Sequence, residues 1–115
     1  MLTNITSLTG NGLKDWLFQR VSAIILAVYT LFVLGFMACH TPMTFEVWHR
    51  LFQCNAMRVF SSVTLLSLII HSWIGIWTIS TDYLPNLAIR LSFQFLAAVA
   101  HLVLLIWGIT ILWGI

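Results

Sequence analysis

The sequence predicts an all-α membrane protein with three spanning helices, because its composition and its three long apolar runs are typical of that class. Of its 115 residues, 61% are hydrophobic and 7% are charged, whereas soluble domains carry roughly 25% charged residues. A spanning helix needs about 20 mostly apolar residues, and suitable runs cover residues 17–38, 59–80 and 91–115. These spans use most of the chain. We therefore expect one small membrane domain over residues 1–115, which packs against a partner that contains further helices.

The first span follows a polar N-terminal stretch, and its flanking charges predict the orientation. This stretch lacks the compact basic region and the cleavage site of a secretory signal, so we expect the first span to be retained. Lys14, Arg20 and Arg90 would lie on the N-terminal side of the membrane, and Arg50 and Arg58 on the other side. The positive-inside rule thus favours a cytoplasmic N-terminus. A net charge of +2 without a basic run gives no indication of nucleic-acid binding.

The connection between the first two spans starts at Pro42, because the residue before a proline avoids helical geometry. Residues 45–56 mix apolar and polar side chains, which predicts a short interfacial helix. Cys39 and Cys54 flank this connection. They could pair in an oxidising compartment, but two unrelated thiols are the preferred interpretation.

The second span carries a polar stripe. A helix turns about 100° per residue, so residues three, four, seven and eleven positions apart share a face. Polar groups in hydrocarbon are costly unless they are satisfied, so such a stripe should face protein or a cofactor. Close packing against another helix is the structural alternative. The stripe contains only small, polar or ionisable residues: Thr64, Ser67, His71, Gly75, Thr78 and Asp82.

His71 is the candidate ligand within this stripe. A neutral imidazole can bind iron through one ring nitrogen and use the other for a further hydrogen bond. Ser67, one turn earlier, offers an oxygen for that bond. Gly75, one turn later, leaves a gap where a porphyrin could lie against the helix. The pattern indicates ligation of a b-type haem.

A second mid-span histidine, His101, leaves the ligand geometry open. By the same spacing it shares a face of the third span with Gln94, Ala97 and Gly108. His71 and His101 could together hold one haem within this chain. A packed, hydrogen-bonded His101 is the preferred interpretation.

The second span ends on Asp82 and Tyr83, about 17 Å along the helix axis from His71. A tyrosine hydroxyl can donate to a carbonyl oxygen, and an aspartate can accept or relay protons. The pair suits the head of a quinone whose tail stays in lipid, although both are also ordinary helix-end residues. Arg20 enters the first span at the same depth. It could meet Asp82, neutralise a haem propionate or extend to the lipid headgroups.

Three motifs carry a family resemblance: NG-x-x-D-x-x-x-x-R at residues 11–20, H-x-WIG-x-W-x-x-x-TDY at residues 71–83 and LA-x-RL at residues 87–91. Together they resemble the hydrophobic membrane anchor subunit of bacterial succinate dehydrogenase. The resemblance implies a subunit of a succinate:ubiquinone oxidoreductase in the bacterial inner membrane, with no independent catalytic activity of its own.

The same resemblance implies partners, cofactors and site residues. The anchor would form a larger helical bundle with a cytochrome b membrane subunit and dock an iron–sulfur subunit and a flavoprotein. The complex would be a heterotetramer, with its assembly into trimers left open. His71 would be one axial ligand of haem b, the other coming from the partner membrane subunit. Tyr83 would bind ubiquinone beside Asp82, Arg20 would lie near the haem propionates or the quinone, and His101 falls outside the motif.

Two other functions are compatible with the sequence. One is the anchor of a fumarate reductase, which runs the reaction in the opposite direction. The other is a small transport or assembly subunit without a cofactor, in which the polar stripe serves helix packing.

Overall fold

The computed structural model describes residues 12–114, which form four helices joined by short connections. Helix α1 spans Gly12–Cys39, α2 spans Phe45–Gln53, α3 spans Asn55–Tyr83 and α4 spans Leu87–Trp113. Helices α1, α3 and α4 are long and apolar enough to cross a membrane, and the described residues include no strand. The prediction of an all-α membrane protein with three spanning helices is therefore confirmed.

Local capping explains where the connections lie. The Thr44 side chain accepts a hydrogen bond from the backbone of Val47 and so caps the start of α2, and Asn86 caps α4 in the same way. The interfacial helix predicted over residues 45–56 is shorter in the structure. Extended backbone at Cys54 ends α2 and begins α3, so the last two residues of that range belong to the next helix.

Cys39 and Cys54 are both exposed free thiols. They do not form the disulfide that the sequence left open. The interpretation as two unrelated thiols is confirmed.

Helix α3 is the centre of the bundle, because α1, α2 and α4 all pack against it. Its contacts are made largely by small hydroxyl residues, which allow helices to approach closely in a membrane. On one side, the hydroxyls of Tyr29 and Ser61 lie 2.8 Å apart and join α1 to α3. On another, Gln94 donates from Nε2 to Ser80 Oγ over 2.7 Å and joins α4 to α3.

Helix α4 approaches the side of α3 that lies away from the polar stripe. A Cβ atom on Gly108 would lie 2.6 Å from Cδ2 of Leu65, so the missing side chain permits this close contact. Nearby, the ring of Trp73 meets the ring of His101 edge-on, with 5.7 Å between the centroids. The two long interfaces of α3 thus differ. The α1 interface contains hydroxyl groups and His71, whereas the α4 interface combines apolar contacts with hydrogen bonds made by Gln94 and His101.

Replacing Gln94 by methionine is expected to weaken the contact between α3 and α4. Methionine retains a long flexible side chain but cannot donate to Ser80, which is fully buried at 0% exposure. Interhelical hydrogen bonds in membranes contribute about 0.6 to 1.7 kcal/mol, and we expect a loss of stability in that range. Unfolding in mixed detergent micelles would measure it, with the exposed Gln53→Met as the matched control. An equal free energy of unfolding in both variants would contradict the prediction.

Candidate functional site

An open cavity of about 420 Å³ lies between the first half of α1 and the second half of α3. Three residues of the predicted polar stripe lie on its α3 wall, so this part of the stripe faces protein and an open space rather than lipid alone. The opposite wall is formed by polar and charged residues near the start of α1. The walls include His71, Gly75 and Thr78 from α3, and Asp15, Gln19 and Arg20 from α1.

His71 is partly buried on this wall, and its ring is held by the neighbouring helix. Its Nδ1 atom lies 3.2 Å from Oγ of Ser22 on α1. Its Nε2 atom makes no hydrogen bond with any residue in the described range. One ring nitrogen is therefore fixed by the protein, and the other is available to a ligand or a metal.

The hydrogen-bond partner of His71 differs from the expected one. Ser67 is buried, at 6% exposure, but no hydrogen bond joins it to His71, and the partner is Ser22 instead. The imidazole extends sideways into the interface with α1, where a hydroxyl of the other helix comes within reach. Spacing along α3 identifies residues of the same face, but it does not identify the α1 residue opposite them.

Gly75 lines the cavity one turn beyond His71. A Cβ atom there would have Gln19 Nε2 as its nearest neighbour, at 3.8 Å, which is ordinary contact. The Gln19 Oε1 atom is buried and has no hydrogen-bond partner among the described residues. A buried polar atom without a partner costs roughly 1–3 kcal/mol. The cavity therefore combines room for a flat ring with an unsatisfied polar group beside it.

His101 lies in the other interface of α3. Its Nε2 atom is 2.7 Å from Oγ of Ser72, and its Nδ1 atom is 2.6 Å from the carbonyl oxygen of Ala97. Because Ser72 follows His71 directly, the two side chains point about 100° apart around the helix. The packed interpretation of His101 is confirmed. Both ring nitrogens of His101 have partners within the bundle, and His101 does not line the cavity that contains His71.

Asp82 and Tyr83 are the last two residues of α3, and both are exposed, with Tyr83 at 76%. They do not line the cavity. Arg20 does line it, with its guanidinium 5.5 Å from the ring centroid of Trp16. Arg20 and Asp82 are both among the described residues, and neither a hydrogen bond nor an ion pair joins them. The structure thus brings His71 and Arg20 together and leaves Asp82 and Tyr83 at the helix end.

The buried face of α1 was missed in the sequence. Asp15 and Ser22 are buried at 8% and 4% exposure, and Gln19 lies between them on the cavity wall. With Tyr29, these polar residues recur at spacings of four, three and seven, which is the spacing of one helix face. The helical spacing that identified the stripe on the second span also identifies this face of the first span.

Two comparisons relate the chain to known proteins. Residues 7–107 match the family described as succinate dehydrogenase/fumarate reductase transmembrane subunit. The succinate dehydrogenase hydrophobic membrane anchor subunit of Coxiella burnetii (strain RSA 493 / Nine Mile phase I) is 37% identical over 102 residues, which cover 89% of each chain. The family match includes both walls of the cavity and the end of α3. The chain therefore belongs to the family of succinate dehydrogenase/fumarate reductase transmembrane subunits.

Proposed function

We propose that this chain, a membrane anchor subunit of the succinate dehydrogenase family, supplies one axial ligand to haem b and part of a ubiquinone site. The proposal rests on the position and the hydrogen bonding of His71. It lies in the membrane-spanning part of α3, on the wall of an open cavity. One of its ring nitrogens is bonded to α1, and the other is free.

The cavity residues fit one face of a b-type haem. His71 Nε2 would be the iron ligand, and a bound haem would supply a one-electron carrier. Gly75 lies about 6 Å further along the axis and leaves the helix surface flat enough for a ring. Arg20, on the same cavity, is available to an ionised carboxylate, with which guanidinium groups form strong hydrogen bonds.

The second axial ligand would come from another chain. His101 is fully engaged by Ser72 and Ala97, so the chain offers no second mid-span imidazole to the same iron. This supports the assignment of the other ligand to the cytochrome b partner that the family resemblance implies.

Tyr83 and Asp82 suit the head of ubiquinone at the end of α3. The high exposure of Tyr83 leaves its hydroxyl available to a quinone carbonyl. Asp82, also exposed, can accept or relay protons between that head and water. The apolar tail of the quinone would remain in lipid, beside helices whose outer surfaces are hydrophobic.

The buried interior of the chain supports a role within a larger assembly. Among the described residues, the buried hydrophobic side chains are Phe52, Met57 and Ile74, while most large apolar side chains are exposed. Lipid and a second membrane subunit would cover them. Iron–sulfur and flavoprotein subunits would dock on the cytoplasmic face of the inner membrane, where the N-terminus would also lie. The name of the Coxiella burnetii relative favours the succinate-oxidising direction.

Purification of the native complex in mild detergent tests this function. We expect four proteins, the reduced spectrum of a b-type haem, and succinate-dependent reduction of ubiquinone. A colourless complex that does not transfer electrons to quinone would contradict the cofactor roles and would favour an anchor used for assembly alone.

A further inference from the structure

The bond between His71 and Ser22 belongs to a short chain of hydrogen bonds within the α1–α3 interface. Ser22 Oγ lies 3.2 Å from His71 Nδ1 and also donates to the carbonyl oxygen of Gln19, over 3.0 Å. Ser22 is 4% exposed, so water has little access to its hydroxyl. Which atom donates in each of the two bonds therefore depends on the hydrogens carried by the Ser22 hydroxyl and the His71 ring.

Counting those hydrogens favours one tautomer of the imidazole. The Ser22 hydroxyl carries one hydrogen and gives it to the Gln19 carbonyl, which can only accept. With that bond made, Ser22 Oγ accepts the hydrogen of His71 Nδ1. In the neutral ring the lone pair consequently lies on Nε2, the nitrogen that α1 and α3 leave unoccupied.

We propose that Ser22 is a positioning residue, which holds His71 as the Nδ1–H tautomer and sets how strongly Nε2 donates to a metal. This rests on the proposed function of His71 as a haem ligand. An imidazole that donates its second N–H to an oxygen is a more basic ligand with a fixed ring orientation. A more basic ligand stabilises the oxidised iron. Helix α1 thereby tunes a ligand carried by α3.

Substitution of Ser22 in the assembled complex tests the proposal. Ser22→Ala should shift the haem midpoint potential to a more positive value, because the ligand becomes less basic. It should also weaken haem binding by about 10–100-fold, measured as faster haem loss to an excess of apomyoglobin. Ser22→Thr retains the hydroxyl and should return both quantities towards the wild-type values. Ser22→Cys nearly retains the side-chain volume with a weak acceptor, and should shift the potential in the same direction as alanine.

Ser67→Ala is the matched control. Ser67 is likewise a buried serine, on the same face of α3 one turn before His71, but it makes no bond to the ring. Its variant should keep the wild-type potential and rate of haem loss. Wild-type values in both Ser22→Ala and Ser22→Cys would overturn the proposal. Equal shifts in Ser22→Ala and Ser67→Ala would also overturn it, because they would trace the effect to packing.

A parallel measurement separates this proposal from the proposed function. If the wild-type complex contains haem and His71→Leu removes its spectrum, the ligand assignment stands whatever the Ser22 variants do. Unshifted Ser22 variants would then overturn only the positioning role. A wild-type complex without haem would overturn both.

Discussion

The His71→Leu complex is expected to lose the low-spin spectrum of its b-type haem. Leucine has a similar hydrophobic bulk but no nitrogen, so the haem iron would lose the ligand that we propose for this chain. Under the proposed function, coordination of the haem iron would compensate the imidazole for its removal from water, and leucine needs no such compensation. Optical spectra of the reduced complex and electron paramagnetic resonance of the oxidised complex would measure the change.

His101→Leu is the control for that experiment. It removes the other mid-membrane imidazole, whose ring nitrogens bond to Ser72 and Ala97 within the bundle. We expect a loss of stability with a retained haem spectrum. A normal spectrum in the His71 variant would exclude His71 as a ligand, and loss of the spectrum in the His101 variant alone would reverse the assignment.

The Tyr83→Phe complex is expected to reduce ubiquinone more slowly while its reduction of artificial dyes stays normal. Phenylalanine retains the ring that lies near the membrane surface but lacks the hydroxyl that would donate to the quinone. A lost hydrogen bond of about 1–2 kcal/mol corresponds to about a 5- to 30-fold decrease in quinone-dependent turnover. Dye reduction reports the soluble subunits, so the ratio of the two rates isolates the quinone site.

Tyr29→Phe is the matched control, since the chain contains two tyrosines. The Tyr29 hydroxyl bonds to Ser61 between α1 and α3, at the far end of the bundle from Tyr83. Its loss should leave the ratio of quinone to dye reduction unchanged. A normal ratio in the Tyr83 variant would identify Tyr83 as an interfacial anchor without a role in quinone binding.

Hydropathy and helical periodicity predicted the spanning helices and the residues that share one helix face, because both properties depend on one segment at a time. The length of each apolar run was sufficient to identify α1, α3 and α4. The 100° rotation per residue placed His71, Gly75 and Thr78 on one face, and the structure places them on one cavity wall. The cap at Thr44 and the break at Cys54 depend on local backbone conformation, and the sequence around Cys54 contains neither proline nor glycine to indicate it.

Contacts between helices could not be predicted in the same way. The rotation of α1 about its own axis decides whether Ser22 or another residue meets His71, and that rotation results from the packing of the whole interface. Arg20 and Asp82 were predicted to lie at the same depth in the membrane, which suggested an ion pair between them. Side chains at one depth can, however, lie on different sides of their helices. The sequence therefore predicted the candidate ligand, while its partner became visible only in three dimensions.

The adjacent positions 71 and 72 attach α3 to both of its neighbours, through Ser22 on one side and His101 on the other. A small twist of α3 at this level would lengthen one attachment or the other. Disturbance of α4 should thus reach His71, the proposed ligand, across a single peptide unit, without altering any residue of the cavity. Substitutions of α4 residues at this level should accordingly shift the haem midpoint potential while the haem spectrum is retained.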